Sequence, residues 1–243
     1  MDRSTSVESL PPVTGPEKRR YVFRMFKSLA PDYDRWNRLL SFGLDRPWRK
    51  KAVAELAACR QVCDLGTGTG DMIRALLDIP TFTGGVTALD PTRELWVKAG
   101  QEDLHGEPRC RFALAEGEHL PLADASCDGL MSGFVMRNFF DLELALREAA
   151  RVVSDGSKAV FLEMGHPRNA VWRGLFETYF QRVAPAVAST FARNPDAYRY
   201  LPASLARFPD QPKVCGLFLA NGWRSAEYKE YLGGAIIAYR ATK

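Results

Sequence analysis

The chain has 243 residues, a hydrophobic content of 46% and a formal net charge of +4. This size and composition predict one globular domain with a sizeable core, and the mild charge does not predict nucleic-acid binding. The apolar runs are too short for a transmembrane helix. The five cysteines show neither metal-ligand spacing nor a disulfide framework, so we expect free thiols, a cytoplasmic location and no metal site.

The first part of the chain predicts a tail followed by helices. Residues 1–16 are polar and contain a Pro-Pro pair, which predicts a flexible tail before a domain spanning 17–243. Residues 17–58 predict a helical cap, because apolar residues recur at helix spacing. Pro31 ends the first cap helix, Asp32 opens a second, and Pro47 lies near the first turn of a third.

Beyond residue 58 the pattern alternates between short apolar strands and helices. The predicted strands are Gln61–Leu65, Gly85–Leu89, Arg109–Ala115, Asp128–Gly133 and Lys158–Glu163. The predicted helices are Asp71–Asp78, Thr92–Gln101 and Leu142–Val153. This alternation predicts an α/β fold with a mostly parallel sheet and helices on both faces. The last two segments, Trp223–Tyr231 and Ala235–Ala241, are joined by two glycines and predict an antiparallel hairpin.

Residues 166–209 are too long for a simple crossover between strands. They carry an apolar stripe at helix spacing, followed by aromatic residues interleaved with arginines. The stripe comprises Trp172, Leu175, Phe176, Tyr179 and Phe180, extended by Val183 and Val187. We expect a helical insertion packed on the core, and the same stripe suits a lid over an apolar substrate that also touches lipid.

The most informative motif is the glycine-rich turn after the first predicted strand. Its glycines are Gly66, Gly68 and Gly70, and glycine lets backbone N–H groups approach a nucleotide-like ligand closely. The spacing is G-x-G-x-G, whereas the dinucleotide fingerprint G-x-G-x-x-G would need glycine where this chain has Asp71. The difference favours S-adenosylmethionine over a nicotinamide or flavin dinucleotide. A nicotinamide-dependent oxidoreductase is therefore the least favoured interpretation.

An acid follows the second predicted strand. Asp90 directly follows the segment Gly85–Leu89 and lies twenty residues beyond Gly70. A carboxylate at this place can accept both ribose hydroxyls of a bound nucleoside. Many nucleotide-binding folds share this device, so Asp90 supports a nucleoside ligand without choosing among cofactors.

Four segments resemble the ubiquinone/menaquinone biosynthesis C-methyltransferases, and the resemblance extends from about Arg20 to Arg240. The glycine turn is common to all class I methyltransferases, whereas the other three segments are more specific to this family. The segments are Tyr33–Gly43 with Trp48 beyond, Gly68–Asp71, Phe134–Asn138, and Tyr198–Ser204 running on to Phe208 and Pro209. The resemblance implies the class I methyltransferase fold, a Rossmann-like sheet closed by an antiparallel hairpin.

The resemblance also implies S-adenosyl-L-methionine as cofactor. The residues expected to bind it are Tyr33, Gly66, Gly68, Thr69, Asp90, Glu116, Gly117 and Gly133. Thr69 and the amides of the turn would hold the methionyl end and the ribose. Glu116 would accept the adenine amino proton, Tyr33 would close over the cofactor, and Gly133 would lie near the sulfonium.

The acceptor that the family implies is a ring carbon of a lipophilic polyprenyl quinol, with a demethylmenaquinol favoured over a ubiquinol precursor. Such a carbon becomes nucleophilic when the adjacent hydroxyl loses its proton, and a nearby cation promotes that loss. We expect Arg137 to supply the cation and Asn138 a neutral hydrogen bond. An ordered water or His166 would serve as a base where one is needed.

The chain also departs from the family pattern. The family has Met at Trp36, His at Asp45, and Ser at Gly165, and its Lys-Pro-Gly-Gly run is replaced by Ser154–Ser157. These changes leave two alternatives open: a methyltransferase of another aromatic or secondary metabolite, and a cofactor-binding homologue without turnover. A homodimer and peripheral contact with the inner face of a membrane are further expectations from the resemblance.

Overall fold

The computed structural model describes residues 15–30, 38, 41, 43–101, 104–183 and 196–243. Within them a seven-stranded sheet carries helices on both faces. The strands are β1 (Gln61–Leu65), β2 (Gly85–Leu89), β3 (Cys110–Ala113), β4 (Cys127–Gly133), β5 (Val153–Met164), β6 (Ser225–Tyr231) and β7 (Ile236–Thr242). The helices are α1 (Gly15–Leu29), α2 (Asp45–Val53), α3 (Asp71–Leu77), α4 (Arg93–Gln101), α5 (Leu142–Val152), α6 (Ala170–Thr178), α7 (Asp196–Arg207) and α8 (Gln211–Ala220).

The sheet order is β3-β2-β1-β4-β5-β7-β6. Strands β1 to β5 pair in parallel, while β7 runs antiparallel to both β5 and β6. The predicted α/β fold with a closing antiparallel hairpin is confirmed. Because the parallel strands share a direction, the loops after β1, β2, β3 and β4 all leave the same edge, where ligands bind in open α/β sheets.

The bounds of β1 and β2 agree with the prediction, those of β3, β4, β6 and β7 differ by one or two residues at an end, and two larger differences lie later in the chain. Strand β5 begins at Val153 rather than at the predicted Lys158, because the preceding residues are also paired: Val153 lies opposite Cys127, and Gly156 N donates to Lys243 O at 3.1 Å. Helix α8 was not predicted. Its signal was Asp210, whose side chain accepts from Lys213 N at 3.2 Å with a proline in the first turn.

The core forms two apolar layers, one on each face of the sheet. On one face α2 and α3 pack against the sheet, with Val53, Leu56 and Ile73 fully buried. On the other face α5 and α8 contribute Leu146 and Phe218, also fully buried. Truncating such a side chain to alanine costs about 2–5 kcal/mol, so these layers fix the sheet that carries the loops.

The outer helices lie over the edge where the parallel strands end. Helix α1 packs against α4, and its Tyr21 ring lies 5.6 Å from the ring of Tyr200 in α7. A π-helical turn, Tyr179–Val183, continues α6. The second predicted cap helix, which begins at Asp32, lies outside the described residues. Among those that are described, no helix has both the length and the apolar content needed to cross a bilayer.

Candidate active site

The glycine turn after β1 is tied to the end of β2. Gly66 N and Thr67 N both donate to Leu89 O, at 2.8 and 3.0 Å. Gly68 adopts a φ of +57°, and a Cβ placed there would meet no atom within 4 Å. Its N–H donates to Asp90 Oδ2 at 2.8 Å. The turn therefore presents open backbone toward free space, which suits a ligand rather than a packed side chain.

That free space is a cleft of about 950 Å³, called the polar cleft here. It is bounded by the turn, by the loops after β2, β3 and β4, and by α1. Among its lining residues are all the described members of the predicted cofactor set: Gly66, Gly68, Thr69, Asp90, Glu116, Gly117 and Gly133. Tyr33, the remaining member, lies outside the described residues. The structure thus brings together positions that are up to 67 residues apart in the sequence.

Asp90 anchors two backbone amides at the edge of the polar cleft. Its Oδ2 accepts from Gly68 N, and its Oδ1 accepts from Thr92 N at 2.7 Å. Burial raises the pKa of Asp90 to about 6, although the two amide bonds oppose that shift. Each carboxylate oxygen retains a second lone pair. Asp90 can therefore hold the turn and still accept from a ligand.

Helix α1 covers one side of the polar cleft. Arg19 of this helix donates from Nε and Nη2 to Glu116 Oε1, at 2.8 and 2.5 Å. Lys18 Nζ donates to Phe139 O on the far wall, and burial lowers the pKa of Lys18 to about 8. Both bonds from Arg19 end on one oxygen of Glu116, which leaves its Oε2 without a hydrogen bond from Arg19. The sequence prediction did not foresee Arg19 as the partner of Glu116.

Gly117 lies where two segments come very close. A Cβ at this position would overlap the ring of Phe139. The next residue, Glu118, is buried and accepts from Phe140 N at 2.7 Å and from Asp141 N at 3.1 Å. The loop after β3 is thereby fixed to the loop after β4, and glycine is the residue that allows this approach.

A buried carboxylate, Asp64, lies beside the glycine turn, although it is not among the residues that line the polar cleft. It lies in β1 two residues before the glycine turn, is fully buried, and neither carboxylate oxygen has a hydrogen-bond partner in the described part of the chain. Burial raises its pKa to about 7, while the nearby Thr67 hydroxyl and, to a smaller extent, Arg49 oppose that shift. An unpaired buried carboxylate is costly in a folded protein. It fits a ligand that brings a positive charge, as a sulfonium or an ammonium group does.

A second space, called the apolar cavity here, has a volume of about 1180 Å³. Trp172, Leu175, Phe176, Tyr179 and Phe180, the predicted stripe, all line it. The remaining lining residues are Ser41, Leu44, Asp45, Trp48, Arg49, Phe134, Arg137, Met164, Leu201, Leu232 and Ile236. Of the two residues predicted to extend the stripe, Val183 is exposed and is not among the lining residues, and Val187 lies outside the described residues. The predicted insertion therefore forms one wall of a chamber for an apolar ligand.

The two spaces meet at Arg49 and Phe134, which line both. The Arg49 guanidinium carbon lies 5.2 Å from the centre of the Phe134 ring. Its Nη2 is 3.5 Å from Asp71 Oδ2, and its Nε is 3.6 Å from Asp45 Oδ2. A polar site beside an apolar chamber can bring a polar donor and an apolar acceptor into contact.

A family model described as the ubiE/COQ5 methyltransferase family matches residues 14–243. The chain belongs to this family. It is 37% identical to the demethylmenaquinone methyltransferase of Roseiflexus sp. (strain RS-1), over 96% of this chain and 97% of that protein. It is 32% identical to the ubiquinone/menaquinone biosynthesis C-methyltransferase UbiE of Geotalea uraniireducens (strain Rf4), over 93% and 98%. The predicted resemblance is confirmed.

Solved structures agree on the fold. A SAM-dependent methyltransferase of Thermotoga maritima, described as a possible histamine N-methyltransferase, superposes with a TM-score of 0.65 at 19% identity. The match covers 91% of this chain and 99% of that one. The chain is thus a class I methyltransferase in fold and a methyltransferase by family, with S-adenosyl-L-methionine as its methyl donor.

In this ubiE/COQ5 methyltransferase, the two residues predicted to be catalytic face different spaces. Both lie on the 3₁₀ turn Met136–Asn138 that follows β4. Arg137 lines the apolar cavity, and Asn138 lines the polar cleft. Arg137 is paired with the buried Glu163: its Nη1 donates to Oε1, and its backbone N donates to Oε2 at 3.2 Å. The sequence prediction did not identify this partner, which neutralises part of the arginine's charge.

The hydrogen-bonding capacity of the turn Met136–Asn138 is not fully used. Arg137 Nε and Asn138 Oδ1 are buried without a hydrogen-bond partner among the described residues. Unpaired buried polar atoms are rare in native proteins. Arg137 therefore has an unused donor beside the apolar cavity, and Asn138 has an unused acceptor beside the polar cleft.

His166 and Ser132 each form a hydrogen bond to a backbone carbonyl. His166 Nε2 lies 2.9 Å from Phe208 O, so this nitrogen carries the proton and donates it to the carbonyl. His166 lines neither space, and this placement does not favour the base that we considered. Ser132 Oγ donates to Leu65 O at 2.7 Å and ties β4 to β1.

Sequence reasoning missed Asp64, Asp45 and Arg49. For Asp64 a signal was present, since an acid in an otherwise apolar strand just before a glycine turn is unusual. For Arg49 there was none: it stands in the basic run Arg49-Lys50-Lys51, and only packing shows that Arg49 is buried while both lysines are exposed.

Proposed function

We propose that this chain transfers the methyl group of S-adenosyl-L-methionine to a ring carbon of a polyprenyl quinol, with a demethylmenaquinol as the favoured acceptor. The observation that carries the proposal is the junction of a polar cleft with an apolar cavity at Arg49 and Phe134. The names of the relatives, demethylmenaquinone methyltransferase and UbiE, support the same acceptor class.

The cofactor would be held by groups that the structure leaves open. The turn amides and Thr69 would bind its methionyl end, and Asp90 would accept from its ribose hydroxyls. Glu116 and Gly117 would border the adenine, with α1 above it, and Gly133 would approach the sulfur. S-adenosylmethionine supplies an electrophilic methyl group on a positively charged sulfur. Unpaired Asp64 favours that charge over the neutral thioether that remains after transfer.

The apolar cavity would hold the ring and the first part of the polyprenyl tail. Each buried methylene contributes about 0.8 kcal/mol, so a few isoprenoid carbons against Phe176 and Phe180 give substantial affinity. A bound tail and ring would fill the apolar chamber and so keep water away from the reacting carbon. An acceptor without a tail should therefore show a strongly raised KM.

Acceptor activation requires ionisation of the ring hydroxyl beside the reacting carbon. Arg137 Nε, a buried donor without a partner in the described part of the chain, would receive the resulting oxyanion. Glu163 holds the guanidinium in place, and Arg137 cannot itself take the proton because it stays charged. Asn138 would contribute a neutral hydrogen bond from the cofactor side.

Membrane contact and domain organisation belong to the same proposal. Leu44, Leu175 and Leu232 line the apolar cavity and are also 41%, 61% and 47% exposed, which supports entry of the acceptor from a lipid surface. We further propose residues 17–58 as the cap and 166–209 as the substrate-side insertion of one domain. A homodimer stays a prediction.

The test is methylation of a purified acceptor. The protein is incubated with S-adenosylmethionine and a reduced demethylmenaquinone bearing a short prenyl tail, and the product is analysed by mass spectrometry and by NMR for the methyl position. We expect one methyl group on the ring carbon. Cofactor binding with no turnover on a demethylated naphthoquinol or benzoquinol would refute the proposal.

A further inference from the structure

One carboxylate lies in the wall of the apolar cavity without an evident structural reason. Asp45 begins α2, lines the cavity, and is only 7% exposed. Its Oδ1 accepts from Ser41 Oγ at 2.8 Å. Its Oδ2 lies 3.6 Å from Arg49 Nε, beyond hydrogen-bond distance, and that nitrogen has no hydrogen-bond partner in the described part of the chain. Asp45 therefore keeps acceptor capacity that the protein does not use.

The surrounding charges do not explain this burial. Arg49 is shared between Asp45 and Asp71, at 3.6 and 3.5 Å, and it also lies within electrostatic reach of buried Asp64. Arg74 also lies 3.8 Å from Asp71, so two cations face three carboxylates and the group still carries excess negative charge. A favourable interaction of Asp45 with the N-terminus of α2 would be available at an exposed position as well. Burying a carboxylate in an apolar chamber needs a further reason.

The position of Asp45 supplies a reason for its burial. Asp45 borders the chamber proposed for the quinol ring, and it neighbours Arg49, which marks the junction with the polar cleft. Arg137, the proposed oxyanion donor, lines the same chamber but cannot accept a proton. Neither His119 nor His166 is among the residues lining it. The reaction needs a proton acceptor on this side, and Asp45 is a carboxylate placed there.

We propose that Asp45 accepts the proton of the ring hydroxyl, an inference that rests on the proposed function. The hydroxyl proton passes to the Asp45 carboxylate as the ring carbon forms a bond to the methyl group. The methyl–sulfur bond breaks, and its electron pair stays on sulfur. The methylated carbon then releases its hydrogen as a proton to water, and Asp45 returns its own proton to the ring oxygen. One proton is released per methyl group transferred.

The experiment compares Asp45→Asn with the wild type on two acceptors. The first is the reduced short-tail demethylmenaquinone, and the second is an analogue with a halogen on the ring, which makes its hydroxyl more acidic. Both are assayed at a pH between the two hydroxyl pKa values, so that only the analogue is largely ionised. With the first acceptor we expect kcat of the variant to fall about 10²–10³-fold, as for loss of a general base. With the second, the ratio of wild-type to variant kcat should shrink by about tenfold or more, because no proton has to be removed.

Two further variants separate chemistry from structure. Asp71→Asn removes the other carboxylate near Arg49, so any loss of rate should be the same for both acceptors. Asp45→Glu retains a proton acceptor and should keep more activity than Asp45→Asn. Rates are expressed per molecule able to bind S-adenosylhomocysteine, so a partly unfolded sample does not mimic a chemical defect.

The outcomes are distinct. A kcat for Asp45→Asn within about threefold of the wild type, or an equal loss on both acceptors, would overturn the role of Asp45 while leaving the proposed function intact. Equal activities of the Glu and Asn variants would overturn it too. Failure of the wild type to methylate either acceptor would overturn the proposed function and this inference together.

Discussion

Replacing Asp64 by asparagine tests whether the protein keeps an unpaired carboxylate for a positively charged ligand. Asp64 is fully buried, and its oxygens find no hydrogen-bond partner within the described ranges. The substitution preserves shape and removes charge. We expect the variant to be more stable than the wild type at alkaline pH and to bind the sulfonium cofactor less tightly.

The magnitude follows from the pKa. Burial raises the pKa of Asp64 from 3.8 to about 7. Between these values the folded state binds more protons than the unfolded state, so stability falls as pH rises. Relative to a carboxyl group with an ordinary pKa, the raised pKa of Asp64 costs about 4 kcal/mol at pH 8 but about 2 kcal/mol at pH 5.5, where the folded protein binds the proton. A buried asparagine without partners costs about 1–3 kcal/mol at either pH, which reduces the net gain.

The pH dependence of the stability difference therefore separates the effect of the Asp64 charge from the pH-independent cost of burying asparagine. The free energy of unfolding is measured by urea denaturation at pH 5.5 and pH 8 for the wild type and the variant. The stability difference should move in favour of Asp64→Asn by about 2 kcal/mol between the two pH values. Calorimetry should show a larger loss of affinity for S-adenosylmethionine than for S-adenosylhomocysteine, which lacks the positive charge.

Asp128 provides the matched control. Its oxygens accept from Arg60 N at 2.9 Å and from Gln61 N at 2.8 Å, so asparagine at this position disrupts existing hydrogen bonds. Asp128→Asn should be destabilising by about 1–2 kcal/mol, with no gain at pH 8. A stability difference for Asp64→Asn that is the same at both pH values would show that no ionised buried carboxylate exists, and the electrostatic argument would fail.

Three more predictions concern the same site. Glu163→Gln leaves the Arg137 guanidinium buried without its counter-charge and should lower the free energy of unfolding by about 3–5 kcal/mol. The double variant Arg137→Met/Glu163→Gln should recover most of this loss, which a double-mutant cycle would measure. Gly117→Ala should weaken cofactor binding about tenfold through displacement of Phe139, and the added Phe139→Ala change should restore it, by calorimetry. Because burial raises the pKa of Asp90 to about 6, cofactor affinity should fall as pH drops from 7 to 5, and Asp90→Asn should abolish that pH dependence.

Local sequence patterns were sufficient for much of the fold. Strands β1 and β2 have the predicted bounds because short apolar runs end at turn residues on either side. The polar cleft was also accessible from sequence. Gly68, Asp90 and Glu116 each follow a parallel strand, and parallel strands end at one edge of the sheet. Strand order then brings these residues together.

Tertiary structure decided how the charged groups pair. The chain has 33 basic and 29 acidic residues, and nothing local selects the bond of Arg137 to Glu163 or that of Arg19 to Glu116. These partners are 26 and 97 residues apart. Whether a charge is paired, shared or left open depends on how helices and loops pack around it. That packing alone leaves Asp64 buried without a hydrogen-bond partner in the described part of the chain and places Asp45 in the wall of the apolar cavity.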